Sequence, residues 1–215
     1  MAEQQANIYE RLITLASKLI GGYLKENEDQ EYGVTLSKDT SVFVPYRLLS
    51  SGQQSVLPLV AGITLIGSTP LRPLPADLPF NSVVLEEPEA HICPRNQFNL
   101  MKLIAAALAI NESAKFVITT HSPYILSSIH ALSAYGLADG DVEALAKYED
   151  LVPLKSDREN LEIYLLKDGY AKSLRDDESG LFDTSEIDSV AEEINEVFDE
   201  SIIADELKKG MRSDG

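Results

Sequence analysis

Cysteine is almost missing: one residue in 215 cannot form an internal disulfide or supply the paired thiolates of a structural zinc site, which suits a reducing compartment. Clusters of Lys and Arg are missing too. A duplex or single strand needs a positive track that releases its counterions, so the chain is not expected to bind nucleic acid by itself. Long apolar runs are also lacking. The most apolar stretch, Val56 to Ile66, is short and broken by Pro58 and Gly62, which excludes a bilayer span there, and the first residues do not follow the basic-then-apolar plan of a signal peptide. A cytoplasmic protein without membrane contact is therefore expected. Glycine and proline show no low-complexity excess, and 44% hydrophobic with 25% charged residues is the make-up of a globular chain long enough to bury a core.

The charge that is present is unevenly placed. Of a net charge of −17, residues 1–138 carry 12 acids against 9 bases, while residues 139–215 carry 23 acids against 9 bases. The shift marks a nearly balanced domain over 1–138 and an acidic extension over 139–215 packed on it, read as solubilising surface. Ile8, Leu12, Leu15 and Leu19 predict an amphipathic helix over 6–20 that stops at Gly21-Gly22. Tyr32–Ser37 and Val42–Tyr46 predict a hairpin around Lys38-Asp39. A second helix follows from Val56, with Pro58 bending it, and four prolines make residues 67–80 a loop. Ser82–Leu85 reads as a buried strand, Pro94 opens a helix to about Ile110, Lys115–Thr120 is a second buried strand, and Ser122 caps another helix. This order predicts parallel pairing, hence an α/β core of partial parallel sheet flanked by helices. Glu162–Leu166 and Tyr170–Leu174 predict a hairpin around Asp168-Gly169, and Thr184 to about Lys208 an acidic amphipathic helix.

Three segments carry chemistry. Leu49-Ser50-Ser51-Gly52-Gln53 puts hydroxyls, a glycine and an amide at a helix start, where free N–H groups and the helix dipole attract an anion; the same pattern also serves as a plain cap. Val83-Val84-Leu85-Glu86-Glu87-Pro88-Glu89 delivers two carboxylates to the C-terminal edge of a strand, where open α/β sheets bind ligands. Successive strand side chains point oppositely, so one carboxylate suits a metal ion or its water shell and the other an attacking water. Both are equally read as solvated acids. Phe116 to Ser122 ends a second apolar strand at His121, a proton-handling group, whereas His91 and His130 read as structural.

Taken in order, these segments resemble the heads of ABC-type ATPases, especially the RecF-like, SMC-like and OLD-like ATPases of bacterial DNA repair and phage defence. Leu49–Gln53 resembles the signature motif, Val83–Glu87 Walker B, Pro88–His91 the D-loop and Thr119–Ser122 the switch-histidine loop, strongly over residues 47–127 and loosely to about residue 200. The resemblance implies a P-loop-NTPase-like fold using ATP and Mg²⁺. It implies that Glu86 helps hold Mg²⁺, that Glu87 orients the attacking water and that His121 senses the γ-phosphate. It further implies that Ser50, Ser51, Gly52 and Gln53 lie in the segment contacting ATP bound to an opposite subunit, and that Glu89 and Ala90 run along a dimer seam. Partners implied are a second complete head, with an effector nuclease or DNA reached through a partner. OLD-like proteins append a nuclease with an Asp-x-Asp pair, but Asp139-Gly140-Asp141 follows no apolar strand and reads as a loop. Zinc on Glu87 and His91 is not expected, because Pro88 breaks the helix their spacing requires.

The chain departs from the pattern in two places. Transporter heads have Asp where Glu86 stands, and none of the 12 glycines begins a Gly-Lys-Ser/Thr, so the phosphate-cradling loop has no counterpart, nor has the Q-loop. The chain therefore reads as the C-terminal half of an ATPase domain, completed by a P-loop-bearing lobe on an upstream segment or a second polypeptide; a non-catalytic assembly module derived from such a head is the alternative. A helix N-terminus offers an anion about 0.3–2 kcal/mol, whereas micromolar ATP binding needs about 8 kcal/mol. Calorimetry of the chain alone with Mg-ATP should accordingly show no micromolar binding; a micromolar isotherm would contradict the half-site reading.

Overall fold

The computed structural model describes residues 2–37, 42–68, 82–137, 151–155, 160–176, 178–179 and 181–183. The turn at Lys38-Asp39, most of the proline loop, Asp139-Gly140-Asp141 and the acidic helix from Thr184 lie outside them. The chain divides into two compact units, Met1–Ser156 and Asp157–Gly215.

In the first unit, α1 (Ala2–Ile20) starts earlier than its apolar period, since residues 2–5 favour helix without contributing to the stripe. It ends as the glycines predict: Gly21 takes φ +70° and the Gly22 amide donates to Ser17 O at 2.9 Å, the outer bond of a Schellman end. The predicted hairpin is there as β2 (Tyr32–Thr35) and β3 (Phe43–Pro45), but a third antiparallel strand, β1 (Tyr23–Glu26), pairs with β2. Its four residues are too short and too polar to show a strand period. Then α2 (Ser51–Ser68) begins ahead of the apolar run and takes in the first residues assigned to the loop.

Pro58 sits inside α2. Lacking an N–H, it leaves the carbonyl four residues back, that of Gln54, without its helical donor. The Tyr46 hydroxyl donates to that carbonyl at 3.1 Å, and Gln54 Nε2 returns a bond to Tyr46 O at 3.1 Å. The helix thus runs through the proline with a side chain standing in for the lost amide.

The core gathers round α3 (Pro94–Ile110), whose Leu100, Leu103, Ile104 and Ala105–Ala107 are all buried. A helix apolar on every side must be covered on every side; α1, α2 and α4 (Pro123–Leu137) supply Leu12, Leu15, Ile63, Ile125 and Leu132 to the same core. At the far end Asn111 Nδ2 donates to Ile66 O at 3.1 Å, tying α3 to α2. Between α2 and α4 in the chain, β4 (Ser82–Glu86) and β5 (Lys115–Thr119) pair in parallel, with Val84 opposite Val117 and Glu86 opposite Thr119. Ser122 caps α4 as predicted, its Oγ accepting from the Tyr124 amide at 3.2 Å. Leu151 and Leu154 also belong to this unit, through Arg11 Nη1 to Leu151 O and the Leu154 amide to Leu132 O.

The second unit holds the predicted hairpin, β6 (Tyr164–Lys167) and β7 (Tyr170–Ser173), joined by Asp168 and Gly169 at φ +52° and +82°. A two-residue loop with both residues at positive φ matches the twist of paired strands. Beside it Arg175 donates to Glu162 Oε1 at 3.0 Å and to Leu161 O, and its guanidinium lies over Phe182. Hydrogen bonds from the Ser179 hydroxyl and then the Glu178 amide hold the Asp176 carboxyl below its ordinary range. Among the described residues no helix is long and apolar enough to cross a membrane.

Tyr46→Phe should lower stability by about 0.5–1.5 kcal/mol in urea unfolding. Adding Pro58→Ala, which restores a donor to Gln54 O, should remove most of that penalty. Effects that merely add, within about 0.5 kcal/mol, would show that Tyr46 does not serve the proline.

Candidate functional site

The site grows from the ends of β4 and β5. The Glu87 amide donates to Thr119 O at 2.9 Å, which closes the last pair of the ladder, Glu86 with Thr119, before the chain turns. Two tight turns come next, closed by Ala90 N–H to Glu87 O at 3.0 Å and Ile92 N–H to Glu89 O at 3.1 Å. They need left-handed backbone at two residues with side chains, Glu87 at φ +43° and His91 at φ +66°. Each costs roughly 1–3 kcal/mol, and such residues persist only where the surroundings over-determine them.

This turn brings two of the expected residues together. Glu87 Oε1 lies 3.5 Å from His121 Nε2, at the ends of neighbouring strands. Both side chains are open to solvent, Glu87 at 54% and His121 at 90%. An exposed pair of this kind contributes roughly 0–1 kcal/mol to stability, so its interest is placement: a carboxylate and an imidazole face the same volume of solvent. Glu86, opposite Thr119 in the ladder, is exposed as well. Among the described residues no three His, Cys, Asp or Glu side chains group for a metal. A divalent cation held at Glu86 would therefore draw most of its ligands from water or a phosphate, which suits the coordination Mg²⁺ prefers beside a nucleotide.

Glu89 makes its hydrogen bonds within the chain, to the link after β5. Its Oε1 accepts from Thr120 Oγ1 at 2.6 Å and from the His121 amide at 3.0 Å, while Oε2 is buried with no hydrogen-bond partner. Thr120 Oγ1 in turn accepts from the Ser122 amide at 3.0 Å. A second bridge lies one step deeper: Ser122 Oγ donates to Gln97 Oε1 at 2.5 Å, and Gln97 Nε2 donates to Ile92 O at 3.2 Å. Sequence reasoning does not reach Gln97 as a member of the site, and it reaches Thr120 only as part of the Thr119–Ser122 segment, with no task for its hydroxyl. Gln97 has a readable signal, a polar residue on the helix face that packs inward; Thr120 has none.

At the start of α2, Ser50 and Gln53 form a reciprocal capping box. Ser50 Oγ accepts from the Gln53 amide at 3.3 Å, and Gln53 Oε1 accepts from the Ser50 amide at 3.2 Å and from Ser50 Oγ at 3.0 Å. Gln53 Nε2 donates to Ile20 O at the end of α1, 2.9 Å away. Ser50 and Gln53 thus serve as a cap, with their polar atoms engaged. Ser51 is exposed, and Gly52 lies against the turn after Glu87: a Cβ there would sit 2.9 Å from His91 O.

A family model described as "AAA domain, putative AbiEii toxin, Type IV TA system" matches residues 3–127. The matched stretch runs from α1 into α4 and contains every residue of the site described above. Among curated proteins none matches the chain.

Gly52→Ala would have to push the His91 carbonyl aside. A loss of about 1–3 kcal/mol in thermal or urea unfolding is expected, with amide shifts concentrated at residues 89–92. An unshifted 89–92 segment would show that α2 does not brace the turn.

Proposed function

The chain belongs to this AAA-domain family, whose ATPase domains use ATP and Mg²⁺, and from that premise we propose that it supplies the water-activating edge of a shared ATP-hydrolysing site. The coarse assignment, an ATPase-like nucleotide-binding domain, rests on the family. The division of labour rests on one observation: Glu87 and His121 stand 3.5 Å apart at the ends of adjacent parallel strands, facing solvent.

The roles follow from the chemistry of the groups. Glu87, beyond the strand end, accepts a hydrogen bond from a water and turns its lone pair toward the terminal phosphate of ATP; the same carboxylate takes up the proton as attack proceeds. His121 Nε2, 3.5 Å from Glu87 Oε1, would donate a hydrogen bond to a terminal phosphate oxygen beside that water when protonated or in the Nε2–H tautomer. Glu86 would contribute a carboxylate to Mg²⁺, which when bound neutralises charge on the phosphates. Ser51 and the backbone at the start of α2 offer N–H and hydroxyl donors to an anion brought by an opposite subunit.

The grip on the triphosphate comes from a P-loop-bearing segment or second chain. Two features support this reading besides the missing Gly-Lys-Ser/Thr. Parallel strands are ordinarily covered on both faces, yet Val84 is 69% and Val117 53% exposed on one face of the β4–β5 pair. Among the described residues the sheet has only the two strands β4 and β5, which leaves room for further strands beside it. The completed unit is proposed to work as a homodimer of heads in DNA repair or phage defence, coupled to an effector or to DNA through a partner.

Combining the chain with a P-loop-bearing partner segment should restore phosphate release from Mg-ATP. Glu87→Gln should then lower kcat by about 100-fold or more while ATP binding persists. If no combination hydrolyses ATP and partner binding survives Glu87→Gln, the non-catalytic assembly module takes its place.

A further inference from the structure

His121 has no regular structure to hold it. β5 ends at Thr119, α4 begins at Pro123, and the histidine lies in the short link between them with a side chain 90% open to solvent. Pro123 has no N–H to offer a turn. Whatever keeps Nε2 beside Glu87 must therefore act through the backbone of residues 120–122.

The bonds that do so come from one side chain. Glu89 Oε1 takes the Thr120 hydroxyl at 2.6 Å and the His121 amide at 3.0 Å, and Thr120 passes the constraint on to the Ser122 amide at 3.0 Å. Bonds to a carboxylate are shorter and about twice as strong as neutral ones. Glu89 is itself fixed, since its turn is closed on both sides by Glu87 O to Ala90 N and Glu89 O to Ile92 N. Its second oxygen is buried and unpartnered, so the side chain is not held there by solvent on that side. The residue that orients His121 thus stands two positions after Glu87, and one rigid turn sets both halves of the pair.

We infer that Glu89 is a positioning residue, a clamp that locks the His121 backbone to the turn bearing Glu87. The inference deepens the ATPase reading and rests on it for the kinetic consequence alone. What the clamp requires is a hydrogen-bond acceptor at Oε1, and a negative charge is not required. Glu89→Gln keeps the acceptor; Glu89→Ala removes it.

The test uses the chain by itself, observed by backbone ¹⁵N relaxation and amide hydrogen exchange. With Glu89→Ala the His121 order parameter should fall from the rigid range, about 0.85, to below about 0.6. His121 amide exchange should quicken roughly tenfold or more, the loss of one charge-assisted bond. Amides of β4 and α3 should keep their protection, and Glu89→Gln, whose neutral oxygen still accepts but more weakly, should hold His121 between the wild type and the alanine variant, closer to the wild type. Thr120→Val, which deletes the hydroxyl at nearly constant volume, should loosen Ser122 and His121 even if Glu89→Ala does not fold. Unchanged His121 order and exchange in Glu89→Ala, or in Thr120→Val where only that variant folds, would overturn the clamp. So would a Glu89→Gln protein that behaves like the alanine variant. With a P-loop-bearing partner, Glu89→Ala should lower kcat tenfold or more at unchanged KM, with rescue by Glu89→Gln. If His121 loosens as described but no combination hydrolyses ATP, the clamp is upheld and the ATPase reading falls.

Discussion

The bond from the Glu87 amide to the Thr119 carbonyl fixes the geometry of the strand edge. It closes the last pair of the ladder, Glu86 with Thr119, and with the other pairs it holds the register in which two parallel strands deliver their last residues. Side chains alternate along a strand, so a slip of one residue would exchange the faces of Val84, Leu85 and Glu86 together. With the rung in place, Glu86 stays in the ladder opposite Thr119 while Glu87 leaves it. The two consecutive carboxylates are separated into different positions by backbone geometry alone.

Leaving the ladder at Glu87 needs an unfavourable backbone, and the surroundings show what maintains it. Pro88 is buried behind Glu87, two tight turns close around Glu89, and Gly52 at the start of α2 stands where any Cβ would collide with the His91 carbonyl. Gln97 ties the far end of the turn to Ser122. Left-handed φ at Glu87 and His91 is therefore over-determined by packing from α2, α3 and the link after β5. The capping box at Ser50 and Gln53 belongs to the same frame, because Gln53 also holds the end of α1. Residues that look like ligand-binding polar groups at the start of α2 also cap that helix and tie it to the end of α1, while Gly52 between them lies against the turn.

The fold is most legible in the sequence where one physical signal decides structure by itself. Pro94 at the first turn, Ser122 as a cap, Gly21 at a helix end and Asp168-Gly169 in a two-residue hairpin each act through local backbone preference, and each is found where expected. The apolar runs of β4 and β5 read as buried strands, yet no described side chain of either is buried: one face is half-buried and the other exposed, and continuous apolarity carries no sign of which side is covered. β1 leaves no such signal because a four-residue strand with Lys25 and Glu26 gains its place from pairing with β2, and pairing is not written in local periodicity. In the site, the approach of Glu87 to His121 can be read from both being strand ends. The inward turn of Glu89 cannot, because it depends on left-handed φ at residues that normally avoid it.

The exposed Val84 and Val117 bear on how such a fold divides its work. Burying an apolar side chain of this size contributes about 1.5–3 kcal/mol, a gain the described residues leave unused on one face of the sheet. The opposite face, with Val83, Leu85, Phe116 and Ile118 half-buried, carries the contacts that the strands do make. The edge that carries Glu87 and His121 is thus supported by the turn, Gln97 and α3, independently of whatever covers the open face. A segment docking against Val84 and Val117 would bring its own groups alongside Glu86, on the same face of β4, without having to build the Glu87 and His121 geometry. A shared site assembled this way needs only to cover that face.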